Sequence, residues 1–403
     1  MDVIDLAQQL IRTPSPVRDG DETEVAALIQ RVLEQEGLPR AQVIDADPAR
    51  PNLVLTLDFG SGGRHLGLCG HIDTKPVGGA RWTVDPFAAE IDGDRLYGLG
   101  SGDMKAAVAA MLVAVRSLTT AGDITSGRLS LILTADEEDG AVYGARHLAE
   151  TVDLGLDALV IGEPGGIHTD YDRLHVVSRG LGRFRVTAQA RQGHSSLTSQ
   201  LAFRNAGVDI ARAVAHLANA FNPSTPANPD EVRDWEATIN PGMEFTTGYG
   251  YGVLPEVMSV TVEIRTLPRM DAAQTLAELQ TCLAALSQQT GAQYSVTFDD
   301  EPRHWLPGTQ ARAADPVVRA AQRASSTVLG SDVPLAVFPG TTDTSWFAVH
   351  HPDLPALPAF GPGLLRRAHG ADEWVSVREV RRTVDLYEAL VREYLNPANG
   401  DGR

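Results

Sequence analysis

The sequence predicts an α/β protein whose mostly parallel sheet is interrupted by a smaller α+β domain. Three observations carry that expectation. Through the first 165 residues, short apolar runs alternate with helices of 3.6-residue periodicity. Near Gly180 the pattern changes to half-exposed alternation, and from about Pro302 a helix-rich, turn-rich character returns. The expected domains are therefore 1–179 with 300–403, and an insert over 180–299.

Apolar residues at helical spacing predict helices over 2–11 and 22–35, and strands follow over 53–57 and 66–70. Residues 104–118, rich in Ala, Met, Leu and Val, predict a strong helix entered directly after Asp103. Strand 129–135, helix 142–151 and strand 156–162 complete the alternation, which is the pattern of a parallel sheet covered by helices. In the insert, residues 184–190 alternate as a strand, 201–219 read as a helix, 257–266 as a strand, 272–289 as a helix and 294–298 as a strand. The Pro- and Asn-rich stretch 221–230 is expected to be a loop inside the insert. Helices over 315–329 and 377–394 close the main domain.

At 403 residues the chain is long for a single core, in keeping with two domains. A net charge of −18 excludes nucleic acid as an expected partner and disfavours anionic membranes. Cys69 and Cys282 are too few for a disulfide framework, and Cys69 sits in an apolar run as a buried thiol would. Met1-Asp2-Val3-Ile4-Asp5 places acid where a secretory leader carries base, and no run approaches 18 unbroken apolar residues. The expected location is cytoplasmic.

Four short segments each follow an apolar run: Gly70-His71-Ile72-Asp73, Gly100-Ser101-Gly102-Asp103, Asp136-Glu137-Glu138 and Gly162-Glu163-Pro164. His369 adds a fifth near the C-terminus. His, Asp and Glu without Cys form the donor set of a hydrolytic metal centre, and strand ends of an open α/β sheet share one crevice.

Each segment also has a plain structural reading. His71 and Asp73, two apart in an extended chain, project to one side, so Asp73 can fix the imidazole toward a metal; alternatively they make a hydrogen-bonded turn. Asp103 opens a helix, where the helix dipole alone favours a carboxylate. Asp136-Glu137-Glu138 could be a solvated acidic turn, but three acids at a buried strand end repel one another without a cation. One Glu can then ligate while its neighbour carries a proton. Glu163 and His369 taken singly are turn residues.

Together these segments resemble the M20 metallopeptidase family, the group of acetylornithine deacetylase, succinyl-diaminopimelate desuccinylase, aminoacylase-1 and carboxypeptidase G2. The matching stretches are His71-Ile72-Asp73, residues 98–105, Asp136-Glu137-Glu138, Gly162-Glu163-Pro164, Gly193-His194-Ser195, and Phe360-Gly361-Pro362-Gly363 with His369. They stand in family order over nearly the whole chain.

The resemblance implies a catalytic domain of the co-catalytic zinc peptidase type, with the insert as a lid and dimerisation domain. It implies two divalent ions, zinc with cobalt or manganese as alternatives, bridged by Asp103. His71 and Glu163 would complete one site and Glu138 and His369 the other. Glu137 would be the general base and acid, Asp73 would orient His71, and His194 would stabilise the oxyanion. Arg265 would bind a substrate carboxylate, with Gly363 beside the substrate; the other reading of Arg265 is a solvated strand residue, and of His194 a turn cap next to Ser195 and Ser196. The implied enzyme cleaves the amide of an N-acylated amino acid or small peptide by Glu137-assisted attack of metal-activated water, as a homodimer.

Two departures stand out. Gly252 precedes Val253-Leu254-Pro255 where many relatives carry Asn, and Ala106-Ala107 follow Lys105 where relatives carry glycines. Two other readings are an aminopeptidase or dipeptidase with a co-catalytic metal pair, and a non-catalytic relative that binds metal or a small molecule. His65, His147 and His350-His351 are expected to be surface histidines. Ser195 lacks a Ser-His-Asp partnership.

Overall fold

The computed structural model describes residues 1–17, 20–246, 248–299 and 303–396. The chain divides into two compact units: Met1–Ser178 with Asp230–Arg233 and Thr309–Arg403, and Arg179–Pro229 with Asp234–Gly308. Against the expected 180–299, the second unit runs on to Gly308. The expected return near Pro302 falls on 300–302, outside the described residues.

The first unit holds a six-stranded sheet in the order Gln42–Ile44, Asn52–Asp58, Arg128–Thr134, His65–His71, Ala158–Ile161, Ala356–Leu357. The last four strands are parallel to one another. The first two pairings are antiparallel, which makes the sheet mixed. The short connection over 45–51 joins neighbouring strands directly, and only antiparallel strands can be joined so.

The central strand His65–His71 is buried at every position, as expected where helices cover both faces. Gly70 in this strand permits a close approach: an added Cβ would stand 2.5 Å from Met104 Cε. That approach seats the start of helix Ala106–Ala121 against the strand that ends in His71. The helix is Ala-rich and packs against helices Val3–Ile11 and Val377–Leu395. Among the described residues, Ser101–Ala121 is the one helical stretch long and apolar enough to cross a membrane. Arg116 interrupts its apolar run and most of it lies inside the protein, so its apolarity serves the core.

His65 is corrected from surface to core. It lies in the strand, 3% exposed, with Nδ1 2.9 Å from the Gly155 carbonyl and Nε2 2.8 Å from Ser130 Oγ. Both ring nitrogens are satisfied, which is the condition for burying an imidazole. His147 is half-buried in helix Ala145–Thr151. His350, the last residue of helix Thr344–His350, is exposed, with half-buried His351 capping that helix.

His175, in strand Leu174–Ser178, is fully buried, with Nε2 3.0 Å from the Gly165 carbonyl. Burial pushes its pKa down to about 4. An unfolded His titrates near 6.5, so between about pH 6.5 and 4 the unfolded chain takes a proton that the folded one refuses. The sign is therefore a loss of stability as pH falls through that window, on the order of 3 kcal/mol. In chelator-treated protein, His175→Gln, which keeps a donor toward Gly165, should lose clearly less stability in urea between about pH 7 and 4 than the native chain. Equal losses would remove His175 as the cause.

The second unit is an antiparallel sheet in the order Thr238–Thr246, Val257–Thr266, Gly180–Gln189, Gln293–Phe298. Helices Ala206–Ala220 and Ala272–Thr290 cover one face. Phe184, Val186, Val260, Val262 and Ile264 meet Ile210, Leu217, Leu279 and Leu283 in its core. The alternating burial of Gly180–Gln189 is the period of two that the sequence displays.

Strand Thr238–Thr246 is missing from the sequence expectation. It is an edge strand that carries Pro241 and Gly242 and a register shift between Pro241 and Phe245. Those are the residues that disqualify a strand from a sheet interior and are tolerated only at an edge. The stretch 221–230 is a loop as expected, but its continuation 230–233 belongs to the first unit, where Arg233 bridges Ala336 in parallel.

Candidate metal centre

All five ligand-type residues lie in the first unit, each held by a different device. His71 ends the central strand. Asp103 sits in the turn Ser101–Lys105, where its own and Met104's backbone angles are non-helical. Glu138 belongs to the single turn Glu137–Asp139, entered through Asp136 at φ +60°. Glu163 lies between strands Ala158–Ile161 and Pro164–Gly166, and His369 follows the turn Leu365–Arg367.

These positions converge. His71 Nε2 stands 2.9 Å from Asp103 Oδ1 and 3.6 Å from Glu163 Oε1. His369 Nε2 stands 3.2 Å from Asp103 Oδ2 and 3.1 Å from Glu138 Oε1. The two oxygens of Asp103 thus face two different imidazoles, each with its own glutamate alongside. Ligand atoms of His71, Asp103 and Glu138 all lie within 4.8 Å of one another, as do those of His71, Glu137 and Glu163. Glu137 therefore shares the space between His71 and Glu163.

Asp73 plays a wider part than the expected one. Its carbonyl oxygen is 3.1 Å from His71 Nδ1, nearer than its carboxylate at 3.6 Å. The carboxylate instead accepts the backbone N–H groups of Glu137 at 3.1 Å and Glu138 at 3.0 Å. One residue thus fixes the back of the imidazole and the turn that carries both glutamates.

The electrostatics follow from crowding acids in a buried place. Burial pushes the Glu137 and Glu163 carboxyls well above the usual range, and neighbouring carboxylates push in the same direction. Burial would raise Asp103 too, but hydrogen bonds from His369 and His71 outweigh it and hold that carboxyl well below its ordinary value. The same contacts raise His369 to about 10. Lys75 Nζ is 3.1 Å from Glu138 Oε2. A set of carboxylates and imidazoles without thiolate, buried except for half-buried Glu137 and exposed His369, fits divalent cations of the hard or borderline kind, whose charge offsets the mutual repulsion.

Gly363 also reaches the centre. At φ +105° it donates its N–H to Asp170 Oδ1 at 2.7 Å, and an added Cβ would stand 3.3 Å from Gly102 Cα. Two acids absent from the sequence reading stand close by. Asp343 accepts from Thr134 Oγ1 at 2.8 Å, and its charge bears on His71 and Asp73. Glu373 accepts from the backbone of the Asp103 turn. Neither has a motif around it: Glu373 follows another acid, Asp372, and Asp343 stands between Thr342 and Thr344, so the local sequence carries no signal for either.

The remaining predicted residues lie in the second unit. His194 ends the short strand Gly193–His194 and is exposed; its Nδ1 accepts from Ser196 N–H at 3.3 Å, the turn-capping contact weighed for it as the plain alternative. Arg265, half-buried on strand Val257–Thr266, donates from Nε to Glu263 Oε1 at 2.8 Å.

A model of peptidase family M20/M25/M40 matches residues 67–393. A succinyl-diaminopimelate desuccinylase of Parvibaculum lavamentivorans is 29% identical, over 98% of this chain and 95% of its own. One from Stenotrophomonas maltophilia is 31% identical, over 98% of this chain and 99% of its own. Among solved structures, an M20 family metallo-carboxypeptidase from Sulfolobus solfataricus superposes with a TM-score of 0.76 at 18% identity, covering 98% of this chain and 99% of that one.

Proposed function

The chain belongs to peptidase family M20/M25/M40 and is a metal-dependent amidohydrolase/peptidase, and from that premise we propose that it holds two divalent ions and hydrolyses the amide bond of an N-acylated amino acid bearing a free carboxylate. The observation that carries this reading is Asp103, whose two oxygens stand 2.9 and 3.2 Å from the imidazoles of His71 and His369. A carboxylate presented to two donor pairs at once is suited to bridge two ions. His71 and Glu163 would hold one ion with it, and Glu138 and His369 would hold the other. Zinc is the first choice for an imidazole and carboxylate donor set, with cobalt or manganese as alternatives.

The ions supply Lewis acidity to the amide carbonyl and lower the pKa of water. Glu137 removes a proton from the attacking water and returns it to the leaving amine nitrogen. Its carboxyl is suited to that shuttle because burial raises its proton affinity well above that of an ordinary carboxylate. Asp73, through the N–H groups of Glu137 and Glu138, keeps the shuttle and the ligand apart in role.

In the second unit, His194 is assigned to the oxyanion and Arg265 to the substrate carboxylate, a bidentate partner that a guanidinium matches well. That unit serves as lid and homodimerisation surface. We place the enzyme in the cytoplasm, consistent with free Cys69 and Cys282. The identity to desuccinylases makes an N-succinylated diamino acid the first substrate to try; the exposed, aromatic stretch around Tyr249 and Tyr251 replaces the usual Asn environment at Gly252.

The test is amine release from N-succinyl, N-acetyl and dipeptide substrates with zinc, cobalt or manganese. Metal-dependent release from an N-acyl amino acid is expected, and release from none of them with any of the three metals overturns the reading. Arg265→Met should raise KM for carboxylate-bearing substrates roughly 10- to 100-fold, the value of a charged hydrogen-bonded pair, with a smaller change in kcat. An unchanged KM removes Arg265 from the substrate.

A further inference from the structure

Glu373 lies four residues beyond His369, on the segment leading into strand Trp374–Ser376, and is 2% exposed. Its carboxylate accepts three backbone N–H groups from a single turn. Oε1 takes Gly102 at 2.8 Å and Asp103 at 3.1 Å, and Oε2 takes Gly100 at 3.1 Å. The Glu373 carbonyl in addition accepts the N–H of Gly98 at 3.0 Å. The turn departs from regular helix, because Gly100 is left-handed at φ +74° and Asp103 and Met104 are non-helical, and its own backbone closes only through Ser101 N–H to the Gly98 carbonyl at 3.1 Å and Lys105 N–H to the Gly100 carbonyl at 2.8 Å. A buried carboxylate close to Asp103, another acid, is a costly arrangement; burial and that neighbouring charge push the Glu373 carboxyl up to about 8, and the three donated hydrogen bonds offset them only in part.

We propose that Glu373 is a positioning residue for the metal centre, fastening the Asp103 turn to the segment that carries His369 and so fixing the spacing between the bridging carboxylate and the second imidazole. It reaches no ion itself. Its action runs through the backbone: displacing the turn by a few tenths of an ångström would move both oxygens of Asp103 together, against His71 on one side and His369 on the other. The carboxylate is required as an acceptor on both oxygens. In Glu373→Gln the amide oxygen can still serve Gly102 and Asp103, but the NH2 group then faces the Gly100 N–H, donor against donor. In Glu373→Asp both carboxyl oxygens remain and the reach is one methylene short.

The inference rests on the two-ion reading given above, and one titration separates them. Metal-free native protein, E373Q and E373D are titrated with Co2+, followed by visible absorption and calorimetry, and the thermal midpoint of each metal-free protein is recorded. If the native chain takes up no Co2+, the two-ion reading fails. With the native chain binding, both variants are expected to lose about 10- to 100-fold in metal affinity, as changes behind a ligand do, with an altered cobalt spectrum. A merely structural role would lower the thermal midpoint and leave the affinity of the folded protein within twofold, and that result overturns the proposal. Should neither variant accumulate folded, hydrogen exchange in the native metal-free protein decides: the Gly100, Gly102 and Asp103 amides are expected to be protected, and rapid exchange at all three refutes the clamp.

Discussion

Glu137→Gln should lose turnover by about 10²- to 10⁴-fold, the usual worth of a positioned general acid–base group, while keeping its full metal content. The substitution is nearly isosteric and leaves the Glu137 N–H on Asp73 Oδ1, so the turn that presents Glu138 is undisturbed. What disappears is the ability to take and return a proton. Metal analysis beside steady-state kinetics checks both halves of the expectation. A variant with substantial residual turnover sinks the proton-shuttle role, and one that sheds its metal makes Glu137 a ligand instead. The second outcome is a real alternative, because Glu137 shares the space between His71 and Glu163.

Asp103→Ala should be the most damaging change to the centre. Removing the one carboxylate that faces both imidazoles takes a ligand from each ion at once, so metal content is expected to fall from two per chain to below one, with turnover at background. Asp103→Asn supplies the contrast: it preserves the shape of the turn held by Glu373 but keeps a single acceptor oxygen, and should retain at most one ion. Two ions bound by the Ala variant with native affinity would show that Asp103 does not bridge.

Most of the residues that the fold brings together as a candidate site were legible before any fold was known, and the reason is local. Placing the strands placed His71, Glu138 and Glu163 at their ends, and placing helix 104–118 put Asp103 at its start. His369 was a fifth candidate donor by residue type, but only the family resemblance gave it weight, since nothing in its own loop marks it. Periodicity served equally well for helix Val377–Leu395 and strand Gly180–Gln189, whose apolar positions repeat at their own periods. It failed for Thr238–Thr246, where Pro and Gly mask an edge strand, and for His65, whose burial depends on Ser130 and the Gly155 carbonyl from other parts of the chain.

The sequence by itself determined the local elements and the inventory of donors, because side-chain period and residue chemistry are properties of short stretches. The tertiary structure alone decided which Asp103 oxygen faces which imidazole, that the Asp73 carboxylate serves the Glu137 turn, and that Glu373, 270 residues beyond Asp103, holds that residue's backbone. Those facts depend on closing long loops around a common sheet. A hydrogen bond between distant segments is chosen by that closure, and no spacing within either segment records it.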